Sequence, residues 1–232
     1  MENYTHISMV IDRSGSMSSC WSDVVGGYKQ IVKDNKAAEG KCTFSVAAFD
    51  TEYDMIEDFT DIKAVSEDLK VTPRGGTALL DAIGRTINSV AEQIKNMKKT
   101  DRPSRIIMFV QTDGEENSSK EFKKGDVKAL IDKYTNKKNW QFMFVGASMD
   151  AINDAHSYGF RTANSSIYST QRTGETYYVL SEKMLNARSC SVQDLAQTMA
   201  FTNADIQNMA GSVDYKQTTT DSVSDETETV VK

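Results

Sequence analysis

Alternating apolar and polar stretches divide the first 190 residues into predicted strands and helices. The apolar run from His6 to Ile11 is typical of a buried strand, and residues 17–38 place apolar side chains at helical spacing. Two further strands are predicted at 42–50 and 53–59. The link between them is so short that they must form an antiparallel hairpin, because parallel neighbours need a crossover of a dozen or more residues.

The same pattern continues to about residue 190. We expect a short helix over Asp61–Leu69 and a longer one that Thr77 opens or caps, with an apolar face from Leu80 to Ile94. Beyond these elements the pattern predicts strands at 105–111 and 140–145, a weak strand at 160–163, and helices at 124–136, 150–158 and about 174–188. Strands that alternate with helices indicate an α/β fold with a doubly wound, mostly parallel central sheet, one antiparallel edge strand, and helices on both faces.

Two stretches of the chain depart from this regular alternation of strands and helices. Gly26 and Gly27 weaken the first predicted helix and suggest a close contact between helix and sheet. After the domain at 1–190, residues 191–210 predict a helical extension around Leu195 and Met199. Residues 211–232 contain almost no large apolar side chain and predict a disordered acidic tail.

Composition narrows the classes of function. The 232 residues are 39% hydrophobic and 26% charged, with a formal net charge of -6, which argues against nucleic-acid or anionic-membrane partners. Three unpatterned cysteines do not form a disulfide framework and indicate reduced thiols in a cytoplasmic protein. The N-terminal residues do not resemble a signal peptide, and no apolar run is long enough to span a bilayer.

Oxygen-bearing side chains follow the first strand in the run Asp12-Arg13-Ser14-Gly15-Ser16. Positions 12, 14 and 16 offer hard oxygen donors of the kind that suits Mg²⁺ or Mn²⁺. Thr77 follows the Gly75-Gly76 break, and Asp113 follows another predicted strand. Because ligands of open α/β sheets bind at the carboxyl ends of the strands, we expect these three segments to meet there.

These residues resemble the metal-ion-dependent adhesion site of the von Willebrand factor A domain, whose pattern is Asp-x-Ser-x-Ser, then Thr, then Asp. The resemblance covers about residues 4–190 and implies a Rossmann-like fold. It also implies that Ser14, Ser16 and Thr77 bind the cation directly, while Asp12 and Asp113 act through water. The Asp or Glu of a partner protein would then complete the coordination. The chain looks most like the compact intracellular members of the family from bacteria and their viruses.

Simpler interpretations exist for each position. Asp12, Ser14, Ser16 or Thr77 could cap a helix, and Asp113 before a glycine could belong to a turn.

Three neighbouring charges also have two interpretations each. Glu115 and Glu116 are interpreted either as solvated loop charges or as side chains that tune the choice of metal and partner. The interpretation as solvated loop charges is favoured. Arg74 is interpreted either as a plain surface arginine or as a residue that steers an acidic partner, and the interpretation as a surface arginine is favoured.

The main functional prediction is a metal-dependent protein-binding module that is not an enzyme, because the motif holds no nucleophile–base pair. A metal-dependent, phosphatase-like hydrolase with Asp12 as nucleophile is the first alternative. A structural subunit of a larger assembly is the second. A further alternative is a homo-oligomer. In it, an acidic residue of the tail of one copy would occupy the metal position of a neighbouring copy.

Overall fold

One six-stranded sheet forms the centre of the molecule, in the order β3-β2-β1-β4-β5-β6. The computed structural model describes residues 4–211. The strands are β1 (Tyr4–Asp12), β2 (Lys41–Phe49), β3 (Tyr53–Asp61), β4 (Arg105–Thr112), β5 (Gln141–Gly146) and β6 (Ser165–Ile167). All neighbouring pairs are parallel except β2 and β3. The predicted sheet with its single antiparallel edge strand is therefore confirmed.

Helices cover both faces of this sheet, as predicted. They are α1 (Trp21–Ala37), α2 (Leu79–Asn96), α3 (Lys124–Lys138), α4 (Met149–Ser157), α5 (Thr173–Ser189), α6 (Leu195–Thr198) and α7 (Asn203–Ala210). Helices α1, α5, α6 and α7 share one apolar core, and α2, α3 and α4 share the other. Within the described range, every helix is too short or too polar to cross a membrane.

Strand β1 is buried along its whole length because helices cover it on both sides. Its residues Ile7, Met9 and Ile11 face the core beneath α1 and α5, whereas Val10 faces the core beneath α2. The strand lies between β2 and β4, where the direction of winding reverses. Open α/β sheets bind ligands at such a reversal, beyond the carboxyl end of the strand.

The helix predicted over Asp61–Leu69 is wrong, since this segment runs as turns and irregular chain. Its side chains bond the backbone in ways that compete with a helix: Asp61 accepts from Lys63 N–H, and the Ser66 hydroxyl accepts from Asp68 N–H. The apolar residues Ile62 and Val65 are nevertheless buried in the α1–α5 core. The burial of these two side chains holds the segment in place although it is not helical.

The two glycines of α1 face different surroundings, and neither packs on the sheet as expected. A Cβ at Gly27 would lie only 2.2 Å from the ring of Tyr177 on α5, whereas a Cβ at Gly26 would meet nothing within 4 Å. The close approach is therefore between helix and helix. Position 27 requires glycine because the Tyr177 ring occupies the space that a side chain would need.

The end of the described chain also differs from expectation. The last strand forms at Ser165–Ile167 instead of 160–163, and Phe160 is buried in the α2–α3 core. The helical extension predicted at 191–210 is two short helices, and they pack against α5. An ion pair of 2.8 Å between Lys183 and Asp205 joins α5 to α7. The tail predicted to be disordered lies outside the described residues except for Gly211.

Candidate metal centre

The residue Asp12 ends β1 and fixes the loop that follows. Its Oδ1 accepts a 2.6 Å hydrogen bond from the backbone N–H of Ser14, and its Oδ2 accepts a 2.5 Å bond from the hydroxyl of Thr112 at the end of β4. The side chain is fully buried. Both carboxylate oxygens are thus held by the protein, one by the local loop and one by the neighbouring strand.

The serine hydroxyls are not helix caps. Ser14 precedes a short 3-10 helix, Gly15–Ser19, and makes no side-chain capping bond, while α1 begins after Cys20, which makes none either. Instead Ser14 Oγ lies 3.1 Å from Ser16 Oγ. The hydroxyl of Ser16 donates to Asp113 Oδ1 at 2.6 Å, across 97 positions of sequence. The capping interpretation is wrong for both serines.

The third segment brings Thr77 to the same place. A Cβ at Gly114 would lie 3.3 Å from Thr77 Oγ1 and 3.7 Å from Ser16 Oγ, so both hydroxyls converge beside the glycine that follows Asp113. Thr77 is buried, and it does not cap α2, whose N-cap is Ala78. The structure therefore assembles all five predicted oxygen-bearing residues at one edge of the sheet. Their role as metal ligands stays a prediction.

Backbone hydrogen bonds fix the three loops against one another. Gly15 N–H donates to the carbonyl of Gly75 at 3.1 Å, and Arg74 N–H donates to the carbonyl of Arg13 at 2.8 Å. Gly75 has a φ of 68°, a conformation that favours glycine. The amide of Thr77 donates to Asn117 Oδ1. These contacts set the spacing of the hydroxyls independently of any cation.

Two carboxylates tie the loop after β4 to the start of α2, a role that sequence reasoning predicted for neither. Glu116 accepts from the backbone of Leu80, Ser118 and Ser119. Asp81 accepts from the N–H groups of residues 120, 121 and 122. The favoured interpretation of Glu116 as a solvated loop charge is therefore wrong, because it satisfies N–H groups that a helix start leaves without partners. No local sequence signal marks the tie to α2, since Glu116 lies 36 positions from Leu80, and Asp81 lies 39 to 41 positions from residues 120–122.

A second charged cluster flanks the loops. Arg13 Nε lies 3.0 Å from Asp50 Oδ2, and Arg74 Nε lies 2.8 Å from the same oxygen. Burial alone would raise the pKa of Asp50. Hydrogen bonds from Arg74 and from Glu52 N–H, together with both guanidinium charges, lower that pKa below its usual value. Arg74 is half exposed, as the favoured interpretation of a surface arginine expects, and ion pairs with Asp50 and Glu52 anchor it.

Burial also perturbs the carboxylates of the centre. It raises the pKa of Asp12 to about 6, against the lowering effect of the hydrogen bonds from Thr112 and Ser14. The pKa of Asp113 is raised for the same reason, against the bond from Ser16. Both shifts mean that negative charge is poorly solvated here. A bound cation would offset that cost.

The donor set fits a hard divalent cation. Three hydroxyls and two carboxylates supply oxygen only, which suits Mg²⁺ or Mn²⁺. Among residues 4–211 no three His, Cys, Asp or Glu side chains gather as a metal cluster, so a cation here would depend on the hydroxyls. Ser16 can bind a cation through an oxygen lone pair while its hydrogen stays bonded to Asp113.

The buried histidine of β1 lies away from this edge. His6 stands six residues before Asp12 on the same strand, roughly 20 Å away at the rise of an extended chain. Its ring nitrogens bond Thr43 and Ser8, and its ring stacks on Phe59 with centroids 3.9 Å apart. Burial lowers the pKa of His6 to about 3, so it stays neutral. It is a satisfied core residue.

No protein-family model matches the sequence, and no curated protein matches it. Solved structures do match. The vWF domain of the type V pili tip protein Mfa5 from Porphyromonas gingivalis has a TM-score of 0.60 at 12% identity, over 82% of this chain and 98% of that one. The pilus adhesin SpaC from Lactobacillus rhamnosus GG, in an open conformation, has a TM-score of 0.61 at 11% identity, over 78% of this chain and 30% of that one.

A mussel protein gives a third comparison. Proximal thread matrix protein 1 from the byssus, solved with zinc in its MIDAS motif, has a TM-score of 0.57 at 15% identity over 78% of this chain. This chain spans 46% of the mussel protein, so less than half of its length. At such identities the three comparisons establish a shared fold alone.

Proposed function

This chain has the fold of von Willebrand factor type A domains, and we propose that it is a divalent-metal-dependent protein-binding module without catalytic activity. The observation that carries the proposal is the convergence of Ser14, Ser16 and Thr77 with Asp12 and Asp113 at the carboxyl edge of the sheet. In this function the three hydroxyls bind Mg²⁺ or Mn²⁺ directly. An Asp or Glu of a partner protein completes the coordination.

The hydrogen bonds of Asp12 support its indirect role. Because both its oxygens already accept bonds from Ser14 and Thr112, the carboxylate orients the loop and acts on the cation through water. The cation then receives little charge from the protein and stays attractive to an outside carboxylate. Mg²⁺ commonly keeps several waters and binds one or two carboxylates, which matches this arrangement.

A phosphatase-like hydrolase is the weaker candidate. Its nucleophile would be Asp12, but that side chain is fully buried and both of its oxygens are hydrogen-bonded. A carboxylate nucleophile must reach the substrate atom that it attacks. The burial of Asp12 thus favours the binding module.

A cytoplasmic location is also part of the proposal. The thiols of Cys20, Cys42 and Cys190 are all free, as expected where thiols stay reduced.

Thermal unfolding with added metal tests the metal centre. We expect MgCl₂ or MnCl₂, at about 100 times its dissociation constant, to stabilise the wild-type chain by about 2.7 kcal/mol, and EDTA to reverse this. Ser14→Ala and Ser16→Ala should each abolish the shift. Ser19→Ala removes an exposed hydroxyl of the same 3-10 helix and should keep it. A shift that survives Ser14→Ala would contradict the assigned ligands.

Partner binding needs a separate measurement. We expect proteins retained from lysate by the immobilised chain in Mg²⁺ to elute with EDTA and rebind when Mg²⁺ returns. The Ser16→Ala chain should retain none of them, and Ser19→Ala should behave like wild type. Retention that is equal in EDTA would refute metal-dependent binding even if the cation itself binds.

A further inference from the structure

A cavity of about 390 Å³ opens at the other end of the sheet from the candidate metal centre. Ile106, near the start of β4, and Trp140, just before β5, form part of its wall. The centre lies beyond the opposite ends of these parallel strands, so the two sites are well separated. The remaining apolar lining comes from the carboxyl-terminal halves of α2 and α3 and from Pro103.

Four cationic side chains line this cavity, and no acidic side chain does. They are Lys95, Arg102, Lys133 and Lys138. Within residues 4–211 none of the four forms a salt bridge. The whole chain has 33 acidic against 27 basic residues. These four cations thus stand together around one cavity of a chain whose net charge is negative.

Helix dipoles explain only part of this charge. Lys95 lies in the last turn of α2 and Lys138 ends α3, where the carbonyl groups carry partial negative charge. Arg102 donates to the carbonyls of Met97 and Lys95. Two helix ends supply together about one negative charge, against four positive ones. The two helix ends therefore do not balance the four side chains.

The floor of the cavity is apolar and firmly packed. The rings of Tyr134 and Trp140 stack with centroids 4.4 Å apart, and Trp140 is 2% exposed. Lys133 Nζ lies 4.9 Å from the Tyr134 ring centroid, which holds one of the cations at the rim. The volume is at the small end of the range for ligand pockets. A ligand that fits has an apolar body and an anionic head.

We infer that this cavity binds a small organic anion, with its carboxylate or phosphate head among the four cations and its apolar body against Ile94 and Ile106. The assignment goes beyond the proposed function, because it involves neither the metal centre nor its partner.

Tryptophan fluorescence tests this binding. The chain has two tryptophans, and Trp21 lies in α1 in the other core, so Trp21→Phe leaves Trp140 as the sole reporter. We would strip this variant of metal with EDTA, remove the EDTA by dialysis because it is itself an organic anion, and titrate with phenyl phosphate and with phenylacetate. Phenol and inorganic phosphate, which present the body and the head alone, serve as controls. The indole N–H resonance of Trp140 in the wild-type chain gives the same readout without the substitution.

We expect a saturable change with phenyl phosphate or phenylacetate, at a dissociation constant at least about tenfold below those of both controls. Whichever of the two binds more tightly identifies the head group. No saturable change with either would overturn the inference, and so would phenol binding as tightly as both.

A matched pair of double variants tests the cations. Lys133→Gln with Lys138→Gln should raise the dissociation constant by at least about tenfold. Lys98→Gln with Lys137→Gln removes the same charge from exposed lysines that do not line the cavity and should change it less than twofold. Equal weakening by both pairs would show general charge attraction and refute a built site. Because all titrations use metal-free protein, failure here is independent of failure at the metal centre.

Discussion

The hydroxyl of Thr112 donates a 2.5 Å hydrogen bond to Asp12 Oδ2, so one buried contact joins residues one hundred positions apart. It connects the carboxyl ends of β1 and β4, the two strands that carry most of the candidate metal centre. The same hydroxyl also lies 3.0 Å from the carbonyl of Gly114. Thr112 therefore positions the carboxylate and the loop that bears Asp113.

Replacing Thr112 by valine should destabilise the protein by about 1–3 kcal/mol, because Asp12 loses a buried hydrogen bond. For a chain of this size we expect a fall in melting temperature of roughly 2–4 °C per kcal/mol. Calorimetry in EDTA would measure it. Thr112→Ser keeps the hydroxyl and should retain most of the stability. A larger loss in Thr112→Ser than in Thr112→Val would mean that the methyl group matters more than the hydrogen bond.

Asp12 should make the stability of the metal-free protein depend on pH. Its pKa is about 6 in the folded chain and near 3.8 when unfolded, so the folded state holds the extra proton between these values. The free energy of unfolding should therefore fall as pH rises from about 4 to 6, on the order of 3 kcal/mol from this residue.

The variant Asp12→Asn does not titrate and isolates that contribution. The difference in unfolding free energy between wild type and Asp12→Asn, measured by denaturant titration in EDTA from pH 4 to 7.5, should change with pH in this window. Other titrating groups, such as Asp50, cancel in the difference. Parallel pH profiles for the two proteins would contradict the raised pKa.

Neighbouring glycines of α1 should respond to alanine with opposite signs. Gly26→Ala adds a methyl group into open space and should stabilise the helix by about 0.5–1 kcal/mol. Gly27→Ala places its methyl group against the Tyr177 ring and should destabilise by about 1–3 kcal/mol or more. Chemical denaturation of the two variants measures both effects, and stabilisation by Gly27→Ala would disprove the α1–α5 packing.

Asp81 should control the mobility of the loop after β4. In Asp81→Asn one oxygen becomes an amide NH₂ group, which no longer accepts from a backbone N–H of residues 120–122. Hydrogen exchange of these three amides should accelerate, because opening of the loop costs less free energy. Asp23→Asn, at an exposed position in the first turn of α1, is the control and should leave their exchange unchanged. Unaltered exchange in Asp81→Asn would show that the loop is held by other contacts.

Much of the fold followed from the sequence. Runs such as His6 to Ile11 are buried on both faces, and a helix between two such strands permits little besides a parallel sheet. The antiparallel edge strand β3 followed from the short link after β2. The predicted oxygen donors from Asp12 to Asp113 also meet, because parallel strands end at one edge of the sheet.

The sequence by itself thus determined the alternation of strands and helices and the residues gathered at the carboxyl edge, since both depend on spacing within short windows. Only the tertiary structure decided that Gly27 faces Tyr177, and that Glu116 and Asp81 tie a loop to α2. It alone brought Lys95 and Lys138 around one cavity. The physical reason is that these contacts join segments about 40 to 150 residues apart, and their partners are set by which surfaces the packed sheet brings together.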